Sequence, residues 1–124
     1  MTKKKILIVD DDEILAKLLK TVLERSEHYE AQYVTEALKA LAAIKGFGPD
    51  LVILDVEMPD ARGEDILKII ESDPVFGKTP VIFLTGTVSS EQSRMGLMIV
   101  DRPAMCKPIH MEELIACIEK NIRR

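Results

Sequence analysis

Short apolar runs and amphipathic stretches alternate along the chain. Ile6-Leu7-Ile8-Val9, Leu51-Val52-Ile53-Leu54 and Val81-Ile82-Phe83-Leu84 are continuous and partly β-branched. Runs of this kind suit strands buried on both faces of a parallel sheet; strands with one wet face alternate instead. Weaker segments at Glu30–Val34 and Ala104–Cys106 bring the predicted strands to five. Between them, apolar residues recur at helical spacing: Leu15, Leu18, Leu19 and Val22; Ala37, Leu38, Leu41 and Ala42; Ile66, Ile69 and Ile70; and Met111, Leu114, Ile115, Ile118 and Ile122. A further helix, fourth in chain order, is predicted around Ser89–Ile99, where Gly96 interrupts the pattern at a cost of about 1 kcal/mol relative to Ala. Gly46-Phe47-Gly48-Pro49, Pro74 and the stretch from Gly77 to Pro80 punctuate these elements. Strict β-α alternation implies right-handed crossovers with helices on both faces of a parallel sheet. The expectation is one doubly wound α/β domain spanning 1–124, without linker, repeat or low-complexity segment.

Composition narrows the function. The chain has 124 residues, 17 Lys+Arg against 21 Asp+Glu, and a formal net charge of −4, with no basic patch suited to direct nucleic-acid binding. The longest apolar runs, such as Met95 to Val100, fall far short of the roughly 20 residues that span a bilayer. Lys3-Lys4-Lys5 reads as a solvated lead-in, and the apolar run after it is too short for a secretory signal. Cys106 and Cys117 make neither a disulfide framework nor a metal-ligand pattern and read as small buried hydrophobes. The expectation is a cytoplasmic protein with no membrane association.

In doubly wound sheets, sites form beyond the carboxyl ends of the strands. The first strand ends in Asp10-Asp11-Asp12, the third in Asp55 followed by Val56-Glu57-Met58-Pro59, the fourth in Thr85-Gly86-Thr87 and the fifth in Lys107-Pro108. Singly these residues are ordinary: an Asp after a strand usually caps the next helix, as Asp11 or Asp12 could here, and a lone Lys is usually solvated. Together they place several carboxylates, a hydroxyl and an ammonium on one rim. Carboxylates that converge repel one another unless one takes a proton or a cation neutralises them. A hard oxygen-seeking ion such as Mg²⁺ suits the cluster.

At this point the residues carry a resemblance. Ile6-Leu7-Ile8-Val9-Asp10-Asp11-Asp12, Leu54-Asp55-Val56-Glu57-Met58-Pro59, Leu84-Thr85-Gly86 and Cys106-Lys107-Pro108, at their mutual spacing, resemble the receiver domain of two-component response regulators over nearly the whole chain. The resemblance implies a flavodoxin-like (βα)5 fold with a five-stranded parallel sheet in the order 2-1-3-4-5. It implies that Asp55 accepts a phosphoryl group from a phosphohistidine on a sensor histidine kinase or phosphotransfer protein. Asp10, Asp11, Asp55 and the Glu57 main-chain carbonyl would hold Mg²⁺, with Asp10 acting mainly through water. Lys107 would pair with one phosphoryl oxygen and Thr85 would donate to another. The Lys107–Pro108 bond matches one that is cis in the family. Such a domain is a signalling phosphoacceptor rather than an enzyme in the ordinary sense, since it catalyses only its own phosphorylation and dephosphorylation, and it acts on a downstream protein target. The Glu57 side chain and Thr87 occupy positions that vary in receivers; for Glu57, pairing with Lys107, steering of water and plain solvation remain open.

The chain departs from the family's pattern where signals are usually transmitted. Ala104 stands where receivers carry Tyr or Phe, Asp101-Arg102-Pro103 replaces the usual Gly-Ala-Asp-Asp, and Pro103, lacking an N–H, requires the start or the outer side of an edge strand. The loop Val34-Thr35-Glu36-Ala37 is shortened. Met95 and Met98 offer either core filling beside Ala104 or a homodimer face formed by the fourth helix, fifth strand and fifth helix. His28 and His110, in a turn and at a helix start, are not expected to carry phosphoryl groups. The competing reading is a pseudo-receiver, a phosphorylation-independent interaction or dimerisation module. A nucleotide- or flavin-binding enzyme is disfavoured, because three acidic residues stand where a phosphate cradle needs backbone N–H groups. No output domain follows the last predicted helix within the 124 residues.

Overall fold

The computed structural model describes residues 3–86, 98–99 and 102–122. Strand β1 (Lys4–Val9) leads through α1 (Glu13–Arg25) to β2 (Tyr29–Val34), then through a 3-10 turn (Ala37–Lys39) and α2 (Ala40–Phe47) to β3 (Leu51–Asp55). A small hairpin of β4 (Glu57–Met58) and β5 (Ala61–Arg62) precedes α3 (Gly63–Glu71). Strands β6 (Val81–Thr85), β7 (Met98–Ile99) and β8 (Arg102–Cys106) follow, and the C-terminal helix spans Met111–Asn121. The main sheet has the order β2-β1-β3-β6-β8-β7. Its first five strands are parallel and reproduce the expected 2-1-3-4-5 arrangement, while β7 adds an antiparallel edge to β8.

The continuous apolar runs are explained by two separate cores. Leu7, Val9, Val52, Leu54, Val81 and Phe83 face α2 and α3 on one side of the sheet. Ile6, Ile8, Leu51, Ile53, Ile82 and Leu84 face α1 and the C-terminal helix on the other. Successive side chains of a strand point to opposite faces, so a strand covered on both faces needs an apolar residue at every position. Helix α1 starts where Asp12 accepts the Leu15 N–H at 3.1 Å, and α2 ends at Gly48, whose φ of 66° is a left-handed conformation costly for other residues. No helix among the described residues is long and apolar enough to cross a membrane.

Several expectations are corrected. On α1 the buried stripe is Ala16, Leu19 and Leu23, whereas Leu18 is 54% exposed. After β2 the buried positions are Ala37, Ala40, Ile44 and Phe47; Leu38 is 75% exposed and Ala42 is also exposed. The reason is local geometry: the 3-10 turn at Ala37–Lys39 rotates the register of the stripe relative to one uninterrupted α-helix. Leu38 and Leu41 instead line a shallow apolar cleft of about 140 Å³ with Ile66, Ile69 and Ile70. Lys4 and Lys5 belong to β1; the Lys5 N–H donates to Asp50 Oδ2 at 2.8 Å and its ammonium donates to the Phe47 carbonyl at 3.3 Å. Cys106 and Cys117 are half-buried. The predicted Ser89–Ile99 helix and Thr87 lie outside the described residues, except that Met98–Ile99 is strand. Pro103 is not on the outermost strand, because β7 lies outside it, but it precedes the β6–β8 ladder, which begins at Phe83 opposite Ala104. Its missing N–H therefore costs no bond to β6.

Candidate functional site

The carboxyl ends of β1, β3, β6 and β8 converge, as the strand order requires. Asp10 follows β1 and is buried, Asp55 ends β3 and is 3% exposed, Thr85 ends β6 and is buried, and Lys107 follows β8 and is half-buried. Asp11 is exposed on the rim. Carboxylate oxygens of Asp10, Asp11 and Asp55 all lie within 4.8 Å of one another. The structure thus brings together Asp10, Asp11, Asp55 and Lys107, with Thr85 at the adjoining strand end. The Lys107–Pro108 peptide is cis, as the resemblance implies.

Backbone contacts fix the geometry. The Asp12 N–H donates to Asp10 Oδ1 at 2.9 Å, and the Glu57 N–H donates to Asp55 Oδ1 at 3.1 Å. Beyond β3, the Val56 N–H donates to the Leu84 carbonyl at 2.9 Å, and the Lys107 N–H donates to the Thr85 carbonyl at 2.7 Å. These bonds carry the sheet ladder into the site and leave little freedom in where the side chains begin. Gly63 closes the loop after Asp55. Its N–H donates to the Val56 carbonyl at 2.8 Å, and a Cβ there would stand 2.8 Å from Val56 Cα and 3.1 Å from the Asp55 carbonyl. Only glycine permits this approach.

The electrostatics are those of crowded anions around one cation. The Lys107 ammonium lies 3.0 Å from Asp10 Oδ2 and donates to Asp55 Oδ2 at 3.5 Å. Burial alone would lower the Lys107 ammonium, but Asp10 and Asp55 outweigh it and hold it above its ordinary range. Asp55 is pushed from 3.8 up to about 7, chiefly by burial and further by the neighbouring Asp10 charge; the Glu57 N–H and Lys107 oppose the rise. Asp10 Oδ2 is buried and its contact with Lys107 lacks hydrogen-bond geometry.

That atom provides a test of whether a cation fits. A buried carboxylate oxygen without a hydrogen bond is costly, and one Lys cannot neutralise three clustered carboxylates. A hard divalent ion held by oxygen ligands removes both costs, and Mg²⁺ takes one or two carboxylates while keeping water or phosphate oxygens. The residues present fit it.

Two contributors escaped the sequence reading. Gly63 has no signal in isolation, since its role depends on the β4–β5 hairpin folding it back onto Val56 and on Phe83 arriving from β6. Asp60, in the turn of the β4–β5 hairpin, accepts the N–H groups of Ala37 and Leu38. The Pro59-Asp60 pair signals a turn, but not this partner.

Comparison with known proteins agrees with this geometry. Residues 6–119 match the family model described as "Response regulator receiver domain". The chain is 31% identical over 122 residues to the DNA-binding response regulator MtrA of Mycobacterium tuberculosis, covering 98% of this chain and 52% of MtrA. It is 36% identical over 121 residues to the nisin biosynthesis regulatory protein NisR of Lactococcus lactis, covering 97% of this chain and 51% of NisR. The chain therefore spans about half the length of these curated relatives. Among solved structures it is similar to a CheY-like receiver domain protein from Methanospirillum hungatei, at 31% identity and a TM-score of 0.78 over 96% of this chain and 93% of that one. It is also similar to the chemotaxis response regulator CheY4 of Vibrio cholerae, at 26% identity and a TM-score of 0.81 over 96% and 98% of the two chains.

Proposed function

The chain belongs to the response regulator receiver family, and we propose that within it Asp55 is the phosphoacceptor of a Mg²⁺-dependent signalling switch. The observation that carries this reading is the placement of Asp55. It is a buried carboxylate at the end of the central strand, within 4.8 Å of the Asp10 and Asp11 oxygens and 3.5 Å from the Lys107 ammonium.

An Asp55 oxygen attacks the phosphorus of a phosphohistidine on a sensor histidine kinase or phosphotransfer protein. The P–N bond breaks, the imidazole leaves with its electron pair and takes a proton, and an acyl phosphate remains on Asp55. Attack needs the carboxylate form, which burial and Asp10 disfavour. Lys107 opposes that effect from one side and the Glu57 N–H from the other, the latter also fixing the direction of Oδ1. Mg²⁺ would be held by Asp10, Asp11, Asp55 and the Glu57 main-chain carbonyl, and when bound it supplies positive charge that lets phosphate and carboxylate approach. Lys107 and the Thr85 hydroxyl receive the phosphoryl oxygens at the ends of β8 and β6.

The phosphohistidine donor is a protein, and α1 offers a surface for it. Ile14 and Leu18, one turn apart, are 83% and 54% exposed on the helix that Asp12 caps beside the acidic rim. Solvent-exposed aliphatic residues at this spacing suit docking of an apolar helical face. The switch acts in the cytoplasm through a downstream protein target; the receiver portion, at net charge −4, does not itself bind nucleic acid.

The test is intact-protein mass after incubation with a small acyl phosphate and Mg²⁺, beside Asp55→Asn and metal-free samples. One added phosphoryl group that requires both Asp55 and metal is expected. Absence of an adduct, together with no rise in melting temperature on adding beryllofluoride and Mg²⁺, would favour the phosphorylation-independent interaction module instead.

A further inference from the structure

The second helix begins without a local cap. Glu36 makes no side-chain hydrogen bond to the 3-10 turn, and Lys39 makes none to α2. The first N–H groups of a helix nevertheless need acceptors. Asp60 supplies them from the hairpin that follows β3: the Ala37 N–H donates to its Oδ1 at 3.2 Å and the Leu38 N–H to its Oδ2 at 3.1 Å. These donors, Leu38 foremost, hold the Asp60 carboxyl below its ordinary range.

Asp60 lies at the tip of a hairpin whose base is the phosphoacceptor. Glu57 pairs with Arg62 and Met58 with Ala61. The base is closed by the Gly63–Val56 bond at 2.8 Å and by the Val56–Leu84 bond at 2.9 Å. Within that base the Glu57 N–H holds Asp55 Oδ1. A Cβ on Gly63 would lie 2.8 Å from Val56 Cα, so the base has no slack. The hairpin is therefore clamped at one end on Asp55 and at the other on the start of the second helix. Only Val56–Pro59 lies between the two carboxylates.

We propose that Asp60 is a positioning residue for the phosphoacceptor. By holding the hairpin tip on the Ala37 and Leu38 amides, it fixes the Glu57 main chain against the acidic pocket, so that occupancy of the pocket and order at the start of the second helix are coupled. The inference rests on the phosphoacceptor reading of Asp55. Coupling of this kind is reciprocal: whatever the tether contributes to cation binding, cation binding returns to the tether.

The experiment uses the full chain as wild type, Asp60→Ala and Asp60→Asn. It measures the Mg²⁺ dissociation constant and amide hydrogen exchange at Ala37 and Leu38, with and without Mg²⁺ plus beryllofluoride. In the wild type, Mg²⁺ and beryllofluoride slow exchange at both amides. Asp60→Ala exchanges fast there regardless of ligand and binds Mg²⁺ about fivefold more weakly or worse. Asp60→Asn loses the same charge but keeps an acceptor oxygen, and it recovers part of both effects. Equal weakening in the two variants would assign the effect to charge and overturn the proposal. Fast exchange in Asp60→Ala with unchanged Mg²⁺ affinity would reduce Asp60 to a helix cap and also overturn it. If Asp60→Ala does not fold, the wild type decides: amides that ignore saturating Mg²⁺ and beryllofluoride sink the coupling. A wild type that binds neither ligand refutes the phosphoacceptor reading, and this inference with it.

Discussion

Replacing Asp55 by Asn makes the electrostatic reading quantitative. In the fold, burial and the Asp10 charge raise the Asp55 carboxyl from 3.8 to about 7. An acid raised on folding holds its proton in the native state over a range where the unfolded chain has lost it. Between about pH 4 and 7 the native state then binds more protons, so stability falls as pH rises through that window. The penalty is absent below pH 4 and fully developed above 7. At about 1.4 kcal/mol per unit, a rise of roughly three units sets a ceiling of about 4 kcal/mol. The Lys107 ammonium offsets some of this gain in the variant, because it keeps only Asp10 as a partner after the substitution. Asn preserves the shape and, through its carbonyl oxygen, the acceptor for the Glu57 N–H. The net expectation is a stabilisation of about 1–3 kcal/mol for Asp55→Asn at pH 8 without metal, shrinking toward zero near pH 4. Urea unfolding in chelator at closely spaced pH values measures it, given equal denaturant slopes for the two proteins. Added Mg²⁺ should stabilise the wild type far more than the variant, because the ion binds the folded acidic cluster and not the unfolded chain. A variant less stable than wild type at pH 8, or a gap that does not change with pH, would refute the account of Asp55 as a strained anion.

Three further outcomes follow from other parts of the molecule. Ile14→Ser and Leu18→Ser should slow phosphoryl transfer from a protein phosphohistidine at least severalfold while leaving the rate with a small acyl phosphate unchanged; equal slowing with both donors would remove α1 from the docking surface. Gly63→Ala should cost at least about 1–3 kcal/mol in thermal or chemical unfolding and weaken Mg²⁺ binding, since its Cβ meets backbone at 2.8 Å; a neutral variant would show that the loop base has slack. Thr79 is buried with its hydroxyl unbonded among the described residues, so Thr79→Val should stabilise by about 1 kcal/mol, and a destabilised variant would reveal a partner for that hydroxyl.

How much of this was legible in the chain depends on how local the determining physics is. The three continuous apolar runs announced strands covered on both faces, because a strand with two dry sides has no polar position to spare. The residues that end those strands announced the site, because parallel order brings strand ends to one rim wherever the helices fall. Asp10, Asp11, Asp55 and Lys107 therefore needed only the β-α alternation to be placed together, and the structure gathers their side chains. Which residues on a helix face inward was less legible: Leu18 and Leu38 match the period, yet both are exposed. A 3-10 turn at Ala37–Lys39 resets the register there, and that turn depends on a carboxylate more than twenty positions away in sequence. The closeness of Gly63 to Phe83 and the burial that lifts Asp55 likewise arise only when separate strands meet. Periodicity and strand ends, properties of neighbours in sequence, determined the architecture and the chemical types at the site. Burial, charge crowding and the Asp60 tether, properties of neighbours in space, were decided by tertiary structure, because each is an interaction between groups that the linear order does not bring into contact.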